Sequence, residues 1–396
     1  MANGDETSEL RFSLIVGGPF TGLLGRCRLL GSDRLPTPMA ALLLASAAWL
    51  IPGACALAQS VLRPPYDGAA YFTDVSTLAR YFIAIGTMLA TERHADQRLR
   101  EVLREFWEER IVVGAARARL FEYLRAADRQ TSSALVQCLI LAAAWIGAGQ
   151  ALHVTIGIER VGWEGATAGA ATIQSWAGIA SRQFSVPLFE FLILLWLWRL
   201  AVWTFLLYRI SRLPLQLTPL HADGCAGLGF LGLFPGVFRG FVFALSCVVA
   251  ALLLKDFQLH EGAAQFDQLR NLSWAWFGVV VVLFVGPLLV FYKPLYALRE
   301  AELTQNGRRV NRWYKEFHRH WLEEDSDPGS EWEGTSRPAL SDLNTALDAL
   351  RDMRMIPLDR AAFVQLLVAA AAPIAAAAAT QMPLRDLMGK IAGFAL

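Results

Sequence analysis

The chain has 396 residues, 55% of them hydrophobic and only 18% charged, with a formal net charge of +1. A soluble chain carries roughly 25% charged residues, so this composition, with a mean hydropathy of +0.38, excludes a water-soluble globule. It also excludes long disorder, and five cysteines are too few for a disulfide scaffold.

The expected fold is all-α: a polytopic helical membrane protein with amphipathic helices at the cytoplasmic surface. Residues 1–37 read as a cytoplasmic N-terminal segment. Asp5, Glu6 and Glu9 precede Arg11, a pattern unlike a signal peptide, so the first span is expected to stay as an anchor. A helix needs about 20 mostly apolar residues to cross the hydrocarbon core. Seven stretches approach that: 38–58, 72–91, 133–154, 184–208, 230–254, 274–292 and 361–380. Pro52-Gly53 is expected to kink the first. The second holds Asp74 and Arg80, the fourth Glu190 and Arg199, and the fifth Arg239. The seventh is Ala-rich and near neutral for insertion, so an interfacial helix is its alternative.

Orientation follows from Lys and Arg, which are enriched in cytoplasmic loops. Nine arginines lie between Arg93 and Arg129, and eleven Lys or Arg between Lys293 and Arg360. The third-to-fourth connection has only Arg160 and Arg182, and the fifth-to-sixth only Lys255 and Arg270. The N-terminus is therefore expected in the cytoplasm and the C-terminus outside. This divides the chain into spans one and two (38–92), a cytoplasmic helical segment (93–132), spans three to six (133–292), a second such segment (293–360), and a last helix with its tail (361–396).

In the first cytoplasmic segment, Leu99, Val102, Leu103, Phe106 and Trp107 recur at helical spacing. A second helix over 115–127 follows the breaker Gly114, with Leu120, Tyr123 and Leu124 on one face. In 293–360, Val310, Trp313, Tyr314, Phe317 and Trp321 form another apolar face. A charged linker over 323–338 then leads to a helix starting at Pro338, with Leu340, Leu343, Leu347 and Leu350. The external stretch 157–183 reads as an interfacial helix, or a re-entrant segment if covered, with Trp163 and Trp176 as interface anchors. Cys27, Cys55, Cys138, Cys225 and Cys247 show no metal spacing and read as buried packing thiols.

The densest group of unusual residues is the loop between spans four and five. Gly227, Gly229 and Gly232 there match G-x-G-x-x-G, but a dinucleotide site needs a preceding strand, and a transmembrane helix stands in its place. His221 and Asp223 suit a metal or proton site or the mouth of a pathway; the plainer alternative is Asp223 capping the next helix. At this loop, and at 80–92 and 380–390, the chain resembles a family of uncharacterised bacterial polytopic membrane proteins with a His-x-Asp-x-x-Gly-Gly-Leu-Gly-Phe-type loop. Ala222 and Cys225-Ala226 depart from that pattern. The resemblance implies a bacterial inner-membrane location and no activity.

Charges within spans mark functional sites by default, because each costs at least ~2.5–3.5 kcal/mol at mid-bilayer. Counting depth at about 1.5 Å per residue brings Arg80 and Glu190 to one level, so they are the candidate intramembrane ion pair. Arg199 and Arg239 share a deeper level without an evident carboxylate, and with His221 and Asp223 they form a candidate polar pathway or anion site. Separate snorkelling of the two arginines is the alternative. No cofactor, metal site or catalytic motif is expected, so an enzyme is disfavoured. The expected partners are the bilayer, a second copy of the chain, and an anion or anionic lipid headgroup, with no nucleic acid. The expected function is channel- or transporter-like; the alternative is a membrane scaffold or signalling subunit that recruits partners through its cytoplasmic helices.

Overall fold

The computed structural model describes residues 13–62, 68–156, 163, 165–168, 171–259, 263–319 and 332–381. They are overwhelmingly helical. A short amphipathic helix, α1 (Gly18–Arg26), precedes α2 (Pro38–Leu62). The next element is broken: turns at Ala69–Thr73 and Val75–Thr77 and a π-helical turn at Leu78–Ala84 lead into α3 (Ile85–Glu108). Then come α4 (Ala115–Thr131) and α5 (Ala134–Ile156). A second π-helical turn, Ser181–Ser185, opens α6 (Val186–Ile210). A 3₁₀ segment (Gly229–Leu233) precedes α7 (Arg239–Leu259). The chain continues through α8 (Ala263–Val285), α9 (Tyr292–His318), α10 (Trp332–Arg351) and α11 (Arg360–Gln381).

Five helical stretches are long and apolar enough to cross a membrane: Pro38–Leu62, Trp176–Ile210, Gly229–Lys255, Arg270–Lys315 and Arg360–Thr380. Ala115–Thr131 and Ala134–Gly149, bent by 43° at their junction, make a sixth if counted together. The Ala-rich 361–380 stretch thus meets the criterion. The expected second span, 72–91, is not among them. Asp74, Arg80 and the run of charge that begins at Glu92 dilute its apolar residues, and α3 runs unbroken past the expected boundary at 92.

Large apolar side chains stay exposed along these helices, among them Leu43, Leu50 and Leu57 of α2, Leu139 and Ile146 of α5, and Val364 and Val368 of α11. In water such rows would drive aggregation. Against lipid tails they cost nothing, and the protein is membrane-embedded. Lipid is as apolar as leucine, so the helices associate through close packing of small and flat groups. Ala250 and Leu253 of α7 meet Ile374, Ala377 and Ala378 of α11. At the centre, Trp196 stacks on Phe241 at 5.5 Å and Trp203 on Phe234 at 5.7 Å. Gly240 lets α7 pass so close to Thr91 of α3 that any Cβ there would overlap the threonine side chain.

The expected surface helices are present, with Leu99, Val102, Leu103 and Phe106 of α3 and Leu120 and Leu124 of α4 buried in the main core. Gly114 turns the chain between them at φ +59°. Val310 of α9 and Leu347 and Leu350 of α10 are likewise buried. Three expectations are corrected. The α10 helix begins at Trp332, six residues before Pro338, which the helix accommodates. Within 157–183, Gly165–Ala168 pairs antiparallel with Ala171–Gln174, so a hairpin followed by a short helical turn at Trp176–Ala180 replaces the single interfacial helix; the β-branched Thr167, Thr172 and Ile173 suit strand pairing. Of the five thiols only Cys225 is buried, and Cys27 and Cys138 are exposed. The charged linker before Trp332, Trp321, and most of 380–390 lie outside the described residues.

Candidate functional site

The two π-helical turns face each other across a cavity. A π turn inserts one extra residue into a helix, and such insertions occur frequently at functional sites. Here the first carries Arg80 and Tyr81 and the second carries Ser181 and Arg182. The buried Tyr81 hydroxyl and Ser181 Oγ lie 2.7 Å apart and tie the turns together. Around them lies a half-open cavity of about 310 Å³. Val186, Phe189 and Glu190 continue the Arg182 face into α6 at helical spacing, and Val248 and Leu252 of α7, Ala148 of α5, Trp163, Gln174 and Gly178 complete the wall.

Arg80, Arg182 and Glu190 are all half-buried at this cavity. The Arg80 guanidinium donates to Ser76 Oγ at 3.0 Å, one turn back along its own helix. The expected Arg80–Glu190 pair is brought to one cavity wall, but among the described residues no ion pair joins the two. The Glu190 carboxylate instead lies against the Cα of Gly147 on α5, where any side chain would displace it. Behind Trp163, Asp74 accepts from its Nε1 at 2.9 Å and from the Ser76 amide at 2.9 Å, with Lys255 Nζ at 3.7 Å; neither Asp74 nor Lys255 lines the cavity. Trp163 is therefore a buried wall of the cavity rather than an interface anchor, while Trp176 stays exposed.

The residues of the expected pathway fall into three other clusters. Arg199 does have a carboxylate: its guanidinium donates to Glu92 Oε1 at 2.7 Å, with the side chains 5% and 0% exposed. It also donates to the Ile15 carbonyl at 3.3 Å. Leu14 and Ile15 are buried against the bundle here. Ser13 hydrogen-bonds Asp96, whose carboxylate also meets Arg100 at 2.6 Å. Burial pushes the Asp96 carboxyl above its ordinary range, and Ser13 and Arg100 only partly oppose it. The N-terminal segment thus seals a buried charge cluster between α3 and α6.

Arg239 is exposed and separately engaged, donating to Gln365 Oε1 at 3.1 Å and to His94 Nε2 at 3.4 Å. Burial first, then the nearby Arg239 and Arg98, hold the His94 imidazole below its ordinary value. That favours the neutral ring an arginine donor needs, since guanidinium cannot accept.

The His221 loop is organised by Asp223. Its carboxylate accepts from the amides of Cys225 at 2.8 Å, Gly227 at 3.1 Å and Gly229 at 2.6 Å. Gly224 at φ +63° and Gly227 at φ +91° make the tight path possible. His221 Nδ1 lies 3.0 Å from Asp223 Oδ1, and Nε2 lies 3.7 Å from Glu109. Burial raises the Asp223 pKa, but those three amides and His221 outweigh it, leaving the group below its ordinary value. Arg354 clamps the loop from outside: its amide donates to the Gly224 carbonyl at 2.9 Å, and its guanidinium to the Asp223 carbonyl at 2.7 Å and the Leu358 carbonyl at 3.1 Å. Both Asp223 carboxylate oxygens are therefore occupied by amides of its own loop. No group of three or more His, Cys, Asp or Glu able to hold a metal occurs among the described residues.

Sequence reasoning missed Glu92, Asp96, Ser13 and Arg182 as site residues. The first two sit at a span boundary, where charge is ordinary, and Arg182 read as loop charge; only the fold shows which way they point. Compared with known proteins, the chain matches no family model, no curated protein and no solved structure.

Proposed function

We propose that the protein is a transporter- or channel-like membrane protein that binds a small charged solute in the cavity between its π-helical turns. One observation carries this: Arg80, Arg182 and Glu190 meet a single cavity inside an apolar bundle without an ion pair to one another. Charge left unneutralised among spans is costly, and water or a solute is what offsets it. The volume of about 310 Å³ lies at the lower end of the roughly 300–1,000 Å³ typical of small-molecule sites. The sealed Glu92–Arg199 cluster fits a closed inner end, and the half-open cavity fits an open outer one.

The same reading takes the Arg-dense connections as cytoplasmic, seven passes with the N-terminus inside and the C-terminus outside, and a bacterial inner membrane. The bacterial inner membrane in this reading rests on the resemblance of the His221 loop alone. The scaffold alternative draws less support, because the apolar faces of α3 and α4 are already filled by the protein's own core.

The test is uptake by proteoliposomes of small anions, cations and zwitterions, comparing the wild type with Glu190→Gln. Uptake above empty vesicles that changes in the variant supports the proposal. Permeability equal to that of empty vesicles for all three classes overturns it and leaves the scaffold reading.

A further inference from the structure

The charge arrangement of the cavity narrows the class of solute, an inference that rests on the solute-binding reading above. Two arginines and one glutamate line the same space, all half-buried. A simple anion drawn to Arg80 and Arg182 is repelled by Glu190, and a simple cation drawn to Glu190 is repelled by both arginines. Only a solute that carries both signs meets every one of these groups favourably.

The geometry supports two separated subsites. Arg182 and Glu190 are eight residues apart on one face of the same helical run, roughly 12 Å along its axis. The arginines belong to the π turns. Glu190 lies in regular helix against Gly147, where the missing side chain leaves the carboxylate its space. Between them the wall is mostly apolar, formed by Val186, Phe189, Val248, Leu252 and Ala148, with Gln174 as an uncharged polar group that can bond to either end of a solute. The Tyr81 and Ser181 hydroxyls are engaged with each other. The guanidinium fork matches a carboxylate, which it can hold bidentately; the lone carboxylate matches an ammonium.

We propose that the cavity takes a small zwitterion whose two charges are separated by a short apolar chain, as in an ω-amino acid, its carboxylate at Arg80 and Arg182, its ammonium at Glu190, and its chain against the Val186–Phe189 wall.

The experiment is a thermal-shift titration of the purified full-length protein in detergent with three probe pools. These are unbranched ω-amino acids, short unbranched carboxylates, and short primary amines. A ligand that binds only the folded state raises the unfolding temperature. The amino-acid pool is expected to give the largest shift. Glu190→Gln is expected to lower that shift and raise the response to carboxylates; Arg182→Gln is expected to lower it and raise the response to amines. Glu190→Gln preserves the side-chain shape and Arg182→Gln shortens a side chain at a cavity, and each must unfold near the wild-type temperature without ligand. A shift from carboxylates or amines that equals or exceeds that from amino acids, and is lost in either variant, overturns the zwitterion while the cavity stands as a solute site. No shift from any pool overturns both.

Discussion

Arg199 illustrates how a buried charge is made tolerable. It is 4% exposed, and its guanidinium is used by Glu92 and by the Ile15 carbonyl. Removing one partner of such a pair leaves the other buried and uncompensated, which costs about 3–5 kcal/mol. Glu92→Gln and Arg199→Gln are each expected to lower the unfolding temperature in detergent strongly, and the double variant by less than the sum. Strict additivity in that cycle would mean the two side chains are not coupled. Asp223 contributes in the opposite electrostatic setting, a carboxylate stabilised by three amides. Its native pKa lies below its unfolded value, so its contribution is full above the ordinary 3.8 and is lost as pH falls through the lowered native value. Asp223→Asn is therefore expected to be less stable than wild type at neutral pH and to converge with it in strong acid. A stability gap unchanged across that titration would contradict the assignment.

At the scale of the element, the cavity depends on two helices losing regular hydrogen bonding at matched positions. The Tyr81–Ser181 hydrogen bond at 2.7 Å holds these turns in register. Tyr81→Phe is expected to cost about 1 kcal/mol of stability and to weaken solute binding more than that figure alone implies, as read by the same thermal-shift titration. Contact between α3 and α7 is the second element-level device. Gly240→Ala would force a methyl group into Thr91, and overpacking of this kind costs about 1–3 kcal/mol. The expected outcome is a destabilised protein rescued by the companion change Thr91→Ala, measured by unfolding in detergent. Neither device was legible beforehand. A π turn has no sequence signature in Leu78–Ala84, and Gly240 carries no mark of which helix it will face. The helices themselves were legible, because long uncharged runs and 3.6-residue apolar spacing state them directly.

For the whole molecule, the exposed leucines and valines of α2, α5 and α11 and the arginine-rich connections argue for one arrangement in lipid. Tags within 110–114 and within 157–162 are expected on opposite sides of the membrane, the first reachable only after the cytoplasmic face is opened. Tags reachable from the same side would remove the orientation on which an outward-facing cavity depends. The N-terminal segment adds a further molecular-scale feature, since Leu14 and Ile15 join the main core instead of trailing in solvent.

Composition and periodicity by themselves determined that the chain is helical, where most apolar helices run, and which connections are rich in positive charge, because these properties depend only on local pattern and on transfer from water to lipid. Depth counting even placed Arg80 and Glu190 near one level. Tertiary structure decided the partners: Arg199 went to Glu92, Arg239 to His94 and Gln365, Asp223 to its own backbone, and Arg80, Arg182 and Glu190 to a shared cavity. Depth fixes one coordinate of a side chain, whereas pairing also needs its direction around the helix and the identity of the neighbour, and both are set only when the helices pack.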